Sequence, residues 1–421
     1  MVTTAAGNPT RGRWLLAGAA VLVQLALGAV YAWSIFVNPF IEQMGWSRTE
    51  TALPFIVTIG VLFVGTFVGG RIQDRIGPRP VVLAGGIIYS VGVMLASFVE
   101  TPDQLWLLVL TYGVIAGLGL GAGYIVPIAM LVKWFPDKRG LITGIAVAGF
   151  GAGALVTAPV ANRLLVADDV SQVFLPLGLA YLVATLAGGS WFRNPPPGYA
   201  VPGFQPGVKN APATADSYTL SEALHTPQWY AMTAILALNV TAGIALISQA
   251  APAAQAITGT SAAGAASLVG VFAIFNGAGR VFWGWTSDHV GRMRAFLAIF
   301  GLQVICFVVL PSAAPIWLFF LLSSVVYLCY GGGFGTMPAT AADFFGPKNA
   351  GAIYGAVIVG WSVGGVLGPF AIAALTDATG GFAVPFYLIS GIMLISMLIP
   401  ASLRKPEERT VPGSGGGLST R

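Results

Sequence analysis

GVFAIFNGAGRVFWGWTSDHVGRMR, residues 270–294, starts as an apolar helix, carries one arginine, Arg280, inside it, and runs out through Gly284, Asp288, Gly291 and Arg292 into a basic loop. An arginine inside a membrane-spanning helix costs about 2.5 to 3.5 kcal/mol on insertion scales, so its default meaning is a functional site that awaits a partner. The membrane reading follows from composition. Of 421 residues, 56% are hydrophobic and 8% charged, and a soluble surface needs about three times that charge.

Apolar runs of spanning length lie on both sides of this stretch. Six occupy residues 14–37, 51–70, 80–99, 105–132, 140–161 and 172–192, and six more occupy 227–250, 262–283, 295–312, 315–341, 350–374 and 383–400. The first exceeds the roughly 7–15 apolar residues of a cleaved signal peptide, so it is expected to stay in the membrane. Between the two sets, residues 193–226 include NPPPGYAVPGFQPG and read as a linker. The expected fold is an all-α membrane protein of twelve transmembrane helices. They form two pseudo-symmetric six-helix bundles, residues 1–192 and 227–400, followed by a polar tail, 401–421.

Charge placement is an independent check. With the N-terminus inside, seventeen lysines and arginines fall on the inner side, only Arg48 and Arg163 fall outside, and the twentieth cation is Arg280. The positive-inside rule then puts both termini in the cytoplasm of a cell whose plasma or inner membrane holds the chain. The net charge of +5 marks orientation, and no nucleic-acid partner is expected. Cys306 and Cys329 lie in apolar runs as small buried thiols, and His225 and His289 lie in loops. No nucleophile triad, metal-ligand cluster or P-loop spacing occurs, so no catalytic residue, metal or cofactor is expected, and an enzyme is the remotest reading.

The two halves repeat. Gly70, Asp74 and Gly77 in GRIQDRIGPR recur as Gly284, Asp288 and Gly291, each 214 positions later, and KRGLITG at 138–144 recurs as KNAGAIYG at 348–355, displaced by 210 to 211. Two six-helix repeats around a midplane site is an architecture of secondary transporters.

At these residues the chain resembles the major facilitator superfamily. The stretch 70–79 resembles its loop signature between helices 2 and 3, and 284–292 is the degenerate second copy. The resemblance implies that Asp74 bonds a neighbouring helix end while Arg75 and Arg79 pair with acids, holding the halves together in one access state. The plain alternative is a topogenic basic turn. Within that superfamily, KWFPDKRGLITGIAVAGFGAG at 133–153, with Lys138 and Arg139, and NGAGRVFWGWTSDHVGR at 276–292 resemble the monocarboxylate porters, proton-linked lactate and pyruvate carriers, and more distantly the oxalate/formate exchangers. Asn276 stands where animal members have an aspartate.

None of the fifteen acids falls inside an apolar run. A buried guanidinium without a counterion is costly, whereas a carboxylate meeting it in fork geometry makes two charge-assisted hydrogen bonds. Arg280 therefore reads as an anion anchor, with Asn276 one turn earlier as a further hydrogen-bond donor. The alternative, a side chain snorkelling to the headgroups, is opposed by the repeat: the counterparts are Thr66 and Leu62, so the position needs no charge to fold. One cation matches one carboxylate; the lysine that oxalate-type exchangers supply from helix 11 is missing from GAIYGAVIVGWSVGGVLGPFAIAA at 351–374. Tyr330 and Phe334, Leu27 and Tyr31, and Tyr124 are candidates for the rest of the pocket, against ordinary helix packing. Trp33, Trp46, Trp106, Trp191, Trp229 and Trp317 read as interface belt.

The expected activity is alternating-access transport of a small monocarboxylate, L-lactate ahead of pyruvate, with a proton, by a monomeric unit in the bilayer. An organic anion exchanger and a non-transporting sensor of the same fold are the alternatives.

Overall fold

The computed structural model describes residues 9–167, 169–196, 199, 201, 217–346 and 349–406. Most of the linker, the tail beyond 406, Asp168 and Lys348 lie outside the described residues, and the side chains of Asp74 and Arg139 are likewise not described. Helices fill the first half as α1 (Pro9–Leu27, a tighter 3-10 stretch Gly28–Ala32, then Ser34–Met44), α2 (Arg48–Ile76), α3 (Pro78–Leu95), α4 (Pro102–Trp134), α5 (Arg139–Gly151 and Gly153–Ala167) and α6 (Phe174–Gly189). The second half repeats them as α7 (Pro227–Thr258), α8 (Ala262–Val290), α9 (Arg292–Val309), α10 (Ile316–Phe345), α11 (Ala350–Val357 and Val359–Thr379) and α12 (Ala383–Ser396 and Leu398–Ser402).

Helices are what such apolar runs must form, because lipid offers no partner for backbone N–H and C=O groups. Eleven of these helices are long and apolar enough to cross a membrane. The sixth, α6, has 16 residues, about 24 Å of rise, and hydrogen-bonded turns extend it at both ends, Phe174 N to Ser171 O and Trp191 N to Gly188 O.

The repeat reaches the backbone. Gly45 and Gly259 end α1 and α7 at φ 71° and 70°, and Gly77 and Gly291 end α2 and α8 at 89° and 93°. Left-handed values favour glycine, and both pairs lie 214 positions apart. In the same register Ser47 Oγ accepts from Glu50 N at 3.1 Å and Ser261 Oγ from Gly264 N at 3.2 Å, capping α2 and α8 alike. Packing repeats too. A Cβ on Gly121 of α4 would stand 2.1 Å from Leu62 O of α2, and one on Gly331 of α10 would stand 2.0 Å from Asn276 O of α8.

The tryptophans divide. Trp106, Trp191 and Trp317 are 60–65% exposed, as a belt requires, but Trp33, Trp46 and Trp229 are buried. Trp33 donates to Thr51 O at 3.0 Å and packs on Tyr112, Phe40 and Phe174, so it closes the core of the first half rather than marking a boundary. His289 sits in the last turn of α8, not in a loop.

Most lysines and arginines lie on one face, and on the opposite face the halves are clasped. Asp377, near the end of α11, accepts from Arg48 N at 3.1 Å, Thr49 N at 2.8 Å and Thr49 Oγ1 at 2.6 Å, so a carboxylate of the second half caps the start of α2 in the first. The Arg48 guanidinium lies 5.3 Å from the Phe382 ring beside it. On the basic face, Arg13 of α1 makes two bonds to Asp137 between α4 and α5, at 2.6 and 3.0 Å, which hold the Asp137 carboxyl below its ordinary range.

Removing a carboxylate from a helix start costs about 1 kcal/mol, roughly a fivefold change in population. Asp377→Ala is therefore expected to enrich open forms of this face about fivefold, measured as a longer-distance population between spin labels at Asp103→Cys and Val384→Cys. An unchanged distance distribution would remove the clasp. Because the folded-state pKa of Asp137 is lowered, its contribution is present above the ordinary carboxylate pKa and lost as pH falls through the lowered value. A double-mutant cycle of Arg13→Gln and Asp137→Asn should give a coupling of about 0.5–1 kcal/mol at pH 7, vanishing in acid.

Candidate functional site

Arg280 sits inside α8 toward its basic end, 5% exposed, and Asn276, one turn before it at the middle of the helix, is 1% exposed. No hydrogen bond from Arg280 Nε, Nη1 or Nη2, or from either amide atom of Asn276, reaches a described residue. Both face inward because α8 lies backbone to backbone on α10: the Cβ that Gly335 lacks would stand 2.0 Å from Arg280 O. Small residues at such crossings let helices approach this closely in membranes.

A circuit of aromatic rings begins at the guanidinium. Arg280 Cζ lies 5.0 Å from the centre of Phe334, a cation–π distance. Phe334 packs on Tyr330 and on Trp361 of α11, at 5.4 and 5.1 Å. Trp361 in turn packs on Tyr124 of α4 and Phe150 of α5, at 5.3 and 6.0 Å. Tyr31 closes the circuit from the 3-10 stretch of α1, with its ring 5.2 Å from Phe150 and its hydroxyl 2.8 Å from that of Tyr330. That hydroxyl pair joins the two halves in the buried core. Asn239 of α7 donates to Tyr330 O at 3.2 Å and accepts from Gln303 of α9 at 3.0 Å, so the wall bearing Tyr330 is braced from behind.

Of the residues singled out in the sequence, Arg280, Phe334, Tyr330, Tyr31 and Tyr124 are linked in this circuit, and Asn276 lies on the same buried face as Arg280. Leu27 is fully buried against α4, where a Cβ on Gly123 would stand 3.0 Å from its Cδ1, and no ring contact joins it to the circuit. Phe150 and Trp361 belong to the circuit and were missed. The available signal was weak: Phe150 is the large residue of the glycine-rich run GFGAG, and Trp361 is a tryptophan far from either predicted boundary.

The loop motifs lie at the basic face. Gly70, Asp74 and Arg75 fall in the last turns of α2, Gly77 caps it, and Arg79 opens α3, with Arg75 and Arg79 exposed. In the second copy, Gly284 lies near Gly335 O, Gly291 caps α8, and Arg292 bridges Asp288 and Asp343 at 2.6 and 2.9 Å. Lys138 precedes α5 with its ammonium 5.9 Å from the Trp14 ring, and Arg139 opens that helix.

A positive group buried in an aromatic circuit, with five N–H donors directed at no described residue, can hold a small anion. Comparison with known proteins agrees with the architecture. The chain is 28% identical to the oxalate:formate antiporter of Oxalobacter formigenes, over 82% of this chain and 80% of that one. It is 28% identical to human monocarboxylate transporter 11, over 94% and 84%, and 29% identical to an uncharacterized MFS-type transporter of Escherichia coli (strain K12), over 85% and 87%. A bacterial homolog of the human lysosomal transporter Spinster, solved inward-facing and occupied, shares the fold with a TM-score of 0.67 over 94% of this chain and 96% of that one, at 16% identity. The family model of the Major Facilitator Superfamily matches residues 16–248 and 233–419. On that match, which takes in both six-helix halves, the chain belongs to the Major Facilitator Superfamily.

Proposed function

We propose that this transporter moves a small monocarboxylate across the plasma or inner membrane by alternating access, with Arg280 holding the carboxylate. The observation that carries the proposal is the buried guanidinium with no hydrogen-bond partner among the described residues. With the site empty, its charge disfavours a closed cavity. A carboxylate in fork geometry cancels the charge and supplies acceptors for two N–H groups, which lowers the barrier to rocking the halves past each other. The relatives named for monocarboxylates and for oxalate and formate support an organic anion as cargo.

Asn276 narrows the cargo. Its amide offers donors and also an acceptor, Oδ1, with no partner among the described residues. A carboxylate only accepts, so Oδ1 is matched by a cargo that also donates, such as the hydroxyl of a 2-hydroxy acid. This favours L-lactate over pyruvate. Phe334, Tyr330, Tyr31 and Tyr124 form the walls of the proposed site, together with Phe150 and Trp361. The basic face is proposed as cytoplasmic, by the positive-inside rule. Anion uptake against a potential that is negative inside opposes about 2.3 kcal/mol per 100 mV for each charge moved, so the carrier is proposed to move a proton with the acid.

An exchanger is the second reading, favoured by the similarity to an oxalate:formate antiporter and opposed by the single cation of the aromatic circuit. Uptake of labelled L-lactate at pH 6 and pH 8 separates the two. Symport predicts faster uptake at pH 6, abolished by a protonophore; exchange predicts protonophore-resistant uptake that needs substrate inside. In either case Arg280→Ala should reduce uptake at least about tenfold, since a hydrogen bond to a charged group is worth about 1.5–3 kcal/mol. Wild-type uptake by the variant would remove Arg280 from the site.

A further inference from the structure

A cavity of about 480 Å³ opens on the basic face, and Arg280 is not in its wall. Its lining includes Arg292, Met293 and Arg294 in the first turn of α9, Asp343 in the last turn of α10, and Leu403 and Lys405 just after α12. The volume falls within the roughly 300–1,000 Å³ of small-ligand sites.

The charges in it are unevenly committed. Arg292 is held by Asp343 at 2.9 Å and by Asp288, also in the wall, at 2.6 Å. Its single charge is shared between two carboxylates, so this cluster by itself keeps one net negative charge. Arg294 of α9 and Lys405 of the stretch after α12, both exposed and both in the lining, have no ion pair among the described residues. Three cations against two carboxylates leave the cavity with one net positive charge. A guanidinium fork beside an ammonium point charge is a pairing suited to a phosphate.

Depth identifies the source of that phosphate. Helices α8, α9 and α12, each long and apolar enough to span a membrane, end or begin at Val290, Arg292 and Ser402, so the cavity sits at the level of their ends, where hydrocarbon would give way to headgroups. Its apolar members, Met293 and Leu403 with Val290, adjoin the cations, which suits a ligand with a charged head and a greasy shoulder. We propose that this cavity binds the phosphate of an anionic phospholipid of the leaflet at the basic face, bridging the start of α9 to the end of α12. Basic pockets between helices on a cytoplasmic face are suited to such headgroups, and the negative surface potential of that leaflet reflects the anionic lipid it contains.

The test uses the full chain purified in detergent, with lipid retention counted by native mass spectrometry. Wild type, offered equal amounts of phosphatidylglycerol and phosphatidylcholine, should retain the anionic lipid with about tenfold preference. The double variant Arg294→Gln, Lys405→Gln, whose changes lie on the exposed rim, should lose that preference, while Arg75→Gln, Arg79→Gln on the first-half loop should keep it. Inorganic phosphate at millimolar concentration should not displace the lipid. Equal retention of the two lipids by wild type would overturn the proposal, as would an unchanged preference in the Arg294 and Lys405 variant. Full displacement by inorganic phosphate would also overturn it, reassigning the cavity to a soluble anion.

Discussion

The core between the two halves is organised by one unmet demand, the guanidinium of Arg280, buried with no hydrogen-bond partner among the described residues. Desolvating a cation without a counterion is among the more expensive things a fold can do. The face of Phe334 at 5.0 Å offsets part of this, on the order of 0.5–2 kcal/mol for a desolvated cation–π contact. It supplies no acceptor for the N–H groups. The glycine contacts of α8 with α10 make the arrangement rigid, because a residue as small as alanine at Gly331 or Gly335 would collide with the backbone carbonyls of Asn276 or Arg280. The demand is thus built into helix packing and cannot relax by a small shift of the chain.

The rings of the circuit do not all belong to the half that carries the arginine. Tyr31, Tyr124 and Phe150 come from the first half, while Tyr330, Phe334 and Trp361 come from the second. A relative movement of the halves would therefore break the circuit, including the Tyr31 to Tyr330 hydroxyl bond that crosses between them. Farther out, Asp377 ties α11 to the start of α2 on the face opposite the basic one. The form captured is closed at that clasp, and the exposed Arg75 and Arg79 belong to the other face.

Much of the architecture was legible because it rests on one-dimensional signals. Apolar run lengths and charge asymmetry gave the helices, and the 214-residue displacement gave the halves, down to glycines with matching backbone angles. Arg280 stood out since a charge in an apolar run is conspicuous. Phe150 and Trp361 did not, because an aromatic residue in such a run is chemically ordinary and its importance lies in which other helix it touches. The same limit hid the burial of Trp33 and the Arg13 to Asp137 pair, whose partners are 124 positions apart. The unequal sixth helix was legible in place but not in length, because its ends are turns rather than regular helix.

The repeat also shows what distinguishes the halves. Leu62 and Asn276 occupy equivalent places, each with its carbonyl against a glycine of the helix two further along. At the basic ends of those partner helices, Trp134 and Phe345, 211 positions apart, each pack edge-on with a tyrosine from one end of the linker, Tyr199 at 4.9 Å and Tyr218 at 5.5 Å. Scaffold and linker docking are therefore symmetric while the chemistry is not, since Thr66 stands where the second half has Arg280. In the first half the Thr66 hydroxyl finds a carbonyl, Gly121 O at 3.2 Å, and the position is satisfied within its own bundle. In the second half the guanidinium is not satisfied within its bundle. A duplicated fold with its charge on one side of the pseudo-axis therefore leaves a single buried cation unmatched among the described residues, and the two halves differ in side chains where they agree in helices.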